Sequence, residues 1–199
     1  GMVYGGNSSK KKFIYQKGYF IDYSLIKKNE NIPPFFNAET TNPYLGNFIY
    51  DKYKLNALLS IMSLINVSIL EGQTIKGFYS GVENLIVNII NHKYWIVFYC
   101  EWLFYLLQLI GYQIDYKKNN NKKYYDIIKQ EFLYESNQNT IDFPYKLFST
   151  NQIITYGNIN SIFIIFESVF SNNHLENINY EMPVNYLNFK KIILNRLKL

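Results

Sequence analysis

Arginine is almost missing from this chain: of its 20 basic residues, only Arg196 is not a lysine. Lysine is a flexible point charge without the planar fork that reads base edges in pairs, so its contacts with a nucleic acid suit phosphates better than bases. Cysteine is equally scarce. Cys100 stands alone, which excludes an internal disulfide framework and points to a reducing compartment. The only histidines are His92 and His174, so there is no zinc set at metal-ligand spacing. The basic, apolar, small-residue opening of an exported protein is absent, and Gly1-Met2 reads as a cleavage scar before a start codon. Long apolar runs are lacking too. The most apolar stretch, Tyr94 to Ile110, falls short of a ~20-residue span and carries Glu101 and Gln108, so it reads as a buried core helix. A cytoplasmic protein without a membrane partner is expected.

What is present suits a folded molecule. Apolar residues make up 48% of 199, enough for a substantial core in one large or two small domains. The net charge of +5 favours an anionic partner without specifying one. Lysine in place of arginine, with abundant Asn, Ile, Tyr and Phe, is the residue set of AT-rich codons. The 19% aromatic content therefore carries little functional weight by itself.

The organisation changes near residue 48. Before it, Lys12-Phe13-Ile14-Tyr15, Tyr19 to Ile26 and Phe35 to Thr41 are short, β-branched and aromatic, and are punctuated by Gly18, Pro33-Pro34 and Pro43. They read as strands of a small barrel or sheet. From Asp51 the apolar spacing becomes helical: Leu55, Leu58, Met62, Ile65 and Ile69 share one face, and Ile75, Phe78, Val82, Leu85 and Ile89 share the next. Glu71-Gly72 makes the turn between them. A third helix, apolar nearly all round and so central, runs from Tyr94 to a stop at Gly111. Residues 115–156 begin with a polar loop and continue as either two short strands or a helix. Two last helices follow on Ile159, Ile162, Phe163, Phe166 and Phe170, then on Tyr186, Phe189, Ile193 and Leu197, with Pro183 opening the second.

Candidate binding residues cluster at the start. Tyr4-Gly5-Gly6-Asn7-Ser8-Ser9-Lys10-Lys11-Lys12 combines glycines that admit a phosphate to the backbone, hydroxyls that hydrogen-bond it and charges that attract it. A solvated turn near a terminus explains the same residues equally well. The spacing fits neither a P-loop nor a dinucleotide fingerprint. Lys17, Lys27 and Lys28, interleaved with Tyr15, Tyr19, Phe20 and Tyr23, extend the basic strip; stacking of bases on those rings competes with their use as core. Lys190, Lys191, Arg196 and Lys198 form a secondary basic patch on the last helix, where cations also suit the helix dipole. Catalytic residues are sparse. His92 and His174 belong to no triad, and Cys100, mid-helix among aromatics, is expected to be an inert thiol. Asp22 with Glu39 is the pair that a metal-dependent nuclease would use.

In sequence order these features resemble the RecO family. The Tyr-Gly-Gly-x-Ser-Ser-Lys-Lys stretch is similar to that family's glycine, serine and basic segment at the edge of its oligonucleotide-binding (OB) barrel. Leu55 to Leu64 looks like the first helix of its helical domain. Leu70-Glu71-Gly72-Gln73, Phe78-Tyr79 and Leu85-Ile86 follow its next turn and helix. Leu106-Leu107-Gln108-Leu109-Ile110-Gly111-Tyr112-Gln113-Ile114-Asp115 resembles its Leu-Leu-x-x-x-Gly-Phe-x-x-Asp signature, and Phe163 through His174-Leu175 to Leu197 its final helices. The chain departs from the family in three respects. The barrel's first strands are absent, the four-cysteine zinc site of many members has no cysteine here, and the central-helix glutamate falls at Leu103, with Glu101 two residues early.

The resemblance implies an α+β fold: a partial OB-like β-barrel over residues 1–47 and an α-helical bundle domain over 48–199, without zinc or other cofactor. It implies a non-enzymatic DNA repair and recombination mediator. Such a protein binds single- and double-stranded DNA, anneals complementary strands, and works with RecR to load RecA onto strands coated by single-stranded DNA-binding protein (SSB), whose C-terminal tail it holds. From the residues alone, two other readings stand beside it: a helical adaptor that binds only proteins, and the Asp22/Glu39 nuclease.

Overall fold

Five α-helices form the body of the molecule, in a computed structural model that describes residues 2, 3, 6, 8, 14–29, 31–70, 72–149 and 153–198. Helix α1 spans Lys52–Ser68 and starts where Asp51 accepts hydrogen bonds from the backbone N–H groups of Tyr53 and Lys54 at 2.9 and 3.2 Å. Helix α2 spans Phe78–Asn91. Ile75, the first residue of its predicted apolar stripe, lies before the helix, which starts at Phe78 after Gly77 takes a left-handed conformation, φ 83°. Helix α3, Trp95–Leu109, buries ten residues round its circumference and is the central helix, as its pattern predicts. Gly111, at φ 97°, follows its end. Helices α4, Tyr156–Phe170, and α5, Val184–Leu197, follow the last two apolar stripes, with Pro183 opening α5. A π-helical turn, Ser171–Leu175, continues α4.

The helices pack α1 on α5, α2 on α3 and α3 on α4. Their shared core includes Tyr99, Phe163, Phe166, Tyr186 and Phe189, all fully buried. The Tyr99 hydroxyl meets the Ser60 hydroxyl at 2.6 Å, so its burial leaves no polar atom unsatisfied.

Two small antiparallel sheets attach to this body. In the first, β1 (Ile21–Ile26) pairs with β2 (Phe35–Thr40) in the register Ile21↔Thr40 to Ile26↔Phe35. Phe20 fixes the hairpin to the helices by edge-on contacts with the Tyr44 and Tyr79 rings. The strand expected at Lys12 to Tyr15 is not seen where it is described. Ile14 and Tyr15 lie in a turn that leads to Gly18, φ 97°, while Lys12 and Phe13 are outside the described residues. The second sheet, in the order β4–β3–β5, comprises Glu131–Leu133, Tyr124–Asp126 and Thr140–Asp142. The segment left open between strands and a helix is thus three short strands. An aromatic cluster of Phe104, Tyr116, Phe132, Phe143 and Phe148 joins this sheet to α3. The chain is therefore a mixed α and β molecule, and among the described residues its strands close no barrel. No helix among them is long and apolar enough to cross a membrane.

Candidate nucleic-acid interface

Of the predicted basic strip, Lys17, Lys27 and Lys28 lie at the two ends of β1. Met2 donates from its N–H to the Pro34 carbonyl and accepts from the Phe36 N–H, both at 2.8 Å, so Met2 lies along the outer edge of β2. The Gly6 N–H donates to the Val3 carbonyl at 3.4 Å, and Ser8 is exposed. Gly5, Ser9, Lys10, Lys11 and Lys12 lie outside the described residues. Lys27 and Lys28 are exposed just after β1, with the Lys28 ammonium 5.1 Å from the centre of the Phe35 ring. Phe35 is also the residue bridged to Met2, so Met2 and Lys28 lie at one end of the hairpin. Lys17 is exposed at the other end of β1, about 20 Å away for a six-residue strand. Among the described residues, none of these three lysines forms an ion pair.

The two faces of the hairpin differ. Tyr23 and Phe36 stack at 5.3 Å over an apolar cavity of about 390 Å³, between the hairpin and residues Met62, Phe78 and Val82 of α1 and α2. Asp22 and Glu39 are directly opposed on the other face and line a shallow depression with Ser24 and Asn37. The register therefore brings together the pair singled out for metal chemistry. Among the described residues, however, no group of three or more His, Cys, Asp or Glu could hold a metal ion. The sheet that follows Gly111 has no cysteine to offer zinc; its centre is the aromatic cluster.

The patch on α5 separates into different roles. The Lys190 ammonium donates to both carboxylate oxygens of Glu167 at 2.7 Å, and the buried Tyr186 hydroxyl donates to the same carboxylate at 3.1 Å. Lys190 is thus engaged with α4, while Lys191 is exposed. The Arg196 guanidinium lies 4.2 Å from the centre of the Tyr53 ring, and the Lys198 ammonium 5.0 Å from that of Tyr156. Lys93 and Tyr94, which the sequence reading did not select, join Arg196 around a cavity. The only signal for them along the chain is a lysine beside a tyrosine, repeated at Lys52-Tyr53.

Among the described residues, the remaining titratable groups assemble no triad. Burial among the rings of α3 pushes the Cys100 thiol up, consistent with an inert sulfur. A His174 ring nitrogen meets the Val67 carbonyl at 2.8 Å, and its ring stacks on Phe170. His92 packs against Phe98. Glu101 lies in a polar cavity with Gln108, Gln113 and Asp115, where partial burial raises its carboxyl and Lys117 lowers it less.

Comparison with known proteins gives one consistent result. The chain is 32% identical over 116 residues to the DNA repair protein RecO of Rickettsia canadensis, covering 58% of this chain and 48% of that protein. It is 31% identical over 116 residues to RecO of Rickettsia bellii and 32% over 111 residues to RecO of Rickettsia rickettsii, in each case 56% of this chain and 46% of the relative. The chain therefore matches about half the length of these curated relatives. No family model matches it, and no solved structure does.

Proposed function

We propose, on the premise of the RecO family assignment that these relatives support, that the chain acts in DNA repair as a recombination mediator. In this reading it binds single- and double-stranded DNA, anneals complementary single strands, and helps RecR load RecA in the cytoplasm while holding the SSB tail. It performs no bond-making chemistry. Residues 1–47 act as a partial OB-like β domain, and residues 48–199 as the helical domain.

The observation that carries the proposal is the identity of 30–32% to proteins named RecO over more than half of the chain. The hairpin supports it: Lys17, Lys27 and Lys28 are exposed and outside any described ion pair, as phosphate contacts require. Phe35, under the Lys28 ammonium, adds an aromatic ring to stack on bases. An adaptor that binds proteins is the second reading, favoured by the exposure of Tyr23, Leu25 and Ile26 along β1.

An annealing assay tests the proposal. Two complementary labelled strands should pair faster with the protein than without it, in chelator and without nucleotide. An unchanged pairing rate would favour the adaptor. Mg²⁺-dependent cleavage of the strands would point instead to chemistry at Asp22 and Glu39.

A further inference from the structure

One end of the helical bundle collects features that are distant along the chain. The Lys54 ammonium donates to the Ile90 carbonyl at 3.0 Å, which joins the start of α1 to the end of α2. Arg196 on Tyr53 adds the end of α5, and Lys198 on Tyr156 adds the start of α4. The start of α3 opens into the same place, in a cavity of about 220 Å³ with apolar walls that include Trp95, Ile154 and Ile193. Both charged residues lining it are cations, Lys93 and Arg196. Each is held over a tyrosine ring, Lys93 at 5.6 Å from Tyr94 and Arg196 at 4.2 Å from Tyr53, and neither has a carboxylate partner among the described residues. No side chain caps the first turn of α3, so its amides add positive potential.

An apolar hollow between two fixed cations selects a ligand with an apolar body and an anionic group. The cavity is smaller than the roughly 300–1,000 Å³ of a drug-sized site and suits one flat ring. Lys52, on the same Tyr53 ring, and Lys198 continue the positive charge outward, as a polyanionic chain requires and a single small anion does not. We infer that this end of the bundle is a second single-stranded DNA contact, remote from the hairpin. It takes one unstacked base against Tyr94 and the cavity walls, and the flanking phosphates on Lys93 and Arg196. The inference rests on the proposed DNA-binding function and names a site for it.

The test uses the full chain, a labelled oligodeoxythymidylate of about 16 nucleotides, and the variants Lys93→Ala/Arg196→Ala and Tyr94→Ala, the last leaving the first turn of α3 without a side-chain cap, as Tyr94 does. The double variant should lower the slope of log affinity against log salt by about 1.4, or about 0.7 per cation. Tyr94→Ala should weaken binding and leave that slope unchanged, and Trp95 emission, read in a Trp102→Phe background, should change when the oligonucleotide binds. Unchanged affinity and slope in both variants, with the wild-type chain binding normally, would overturn this site alone. No binding by the wild-type chain at ~50 mM salt would overturn the DNA reading with it. A peptide of Asp, Glu and Phe that shifts Trp95 emission in the same Trp102→Phe background, where the oligonucleotide does not, would give the cavity to a protein partner and overturn the inference.

Discussion

Single side chains decide the small sheet and the docking of α5. Asp126 is buried between β3 and β4, where it accepts from the Lys129 N–H at 2.9 Å, the Asn137 amide at 2.9 Å and the Ile128 N–H at 3.0 Å. These donors, the Lys129 N–H first, hold its carboxyl below the usual value. A carboxyl depressed on folding contributes stability above its unfolded value, near pH 4, and loses it as pH falls through the folded value. Urea unfolding between neutral and acid pH should show that loss in the wild-type chain and a smaller one in Asp126→Asn; equal losses would acquit Asp126. Glu167 is the other such residue. Glu167→Ala leaves the buried Tyr186 hydroxyl and the Lys190 ammonium unpartnered, and is expected to cost about 1–3 kcal/mol in the same measurement. The basic tail of α5 was legible in the sequence, but the engagement of Lys190 was not. Its partner is 23 residues away on another helix, and the available hint is its i+4 spacing from the core residue Tyr186.

At the scale of elements, each helix satisfies its own backbone and shows its buried face at a fixed period, so all five were readable from apolar spacing. The sheet of β3, β4 and β5 was not. Each strand has only three residues, too few to display alternation, and the pairing of Tyr125 with Phe132 and Ile141 is settled by the aromatic cluster that Tyr125 and Phe132 join. A glycine inside α2 is explained in the same way. A Cβ at Gly81 would run into the ring of Tyr105 on α3, which is why the helices approach closely there. Gly81→Ala is expected to destabilise the chain by about 1–3 kcal/mol through overpacking, and Tyr105→Leu in that background to recover part of the loss. Thermal unfolding of the two variants checks this; a neutral Gly81→Ala would show that α2 and α3 are not in close contact.

At the scale of the molecule, cations lie over rings at the hairpin, beside the small sheet and at one end of the bundle, on a body whose cysteine and histidines are engaged in packing. The order of motifs along the chain made the similarity to proteins named RecO legible. It did not reveal that Tyr53, Lys93 and Arg196 meet, because that requires the packing of α1, α3 and α5. The central claim is attraction to phosphate without chemistry, and anisotropy of a labelled single strand, titrated in chelator at ~50 and ~200 mM salt, tests it most directly. The account predicts binding at the lower salt that weakens steeply at the higher, with a slope of about −0.7 for each phosphate contacted. A folded chain that leaves the strand unbound at ~50 mM salt, or binds it equally well at both, would contradict it.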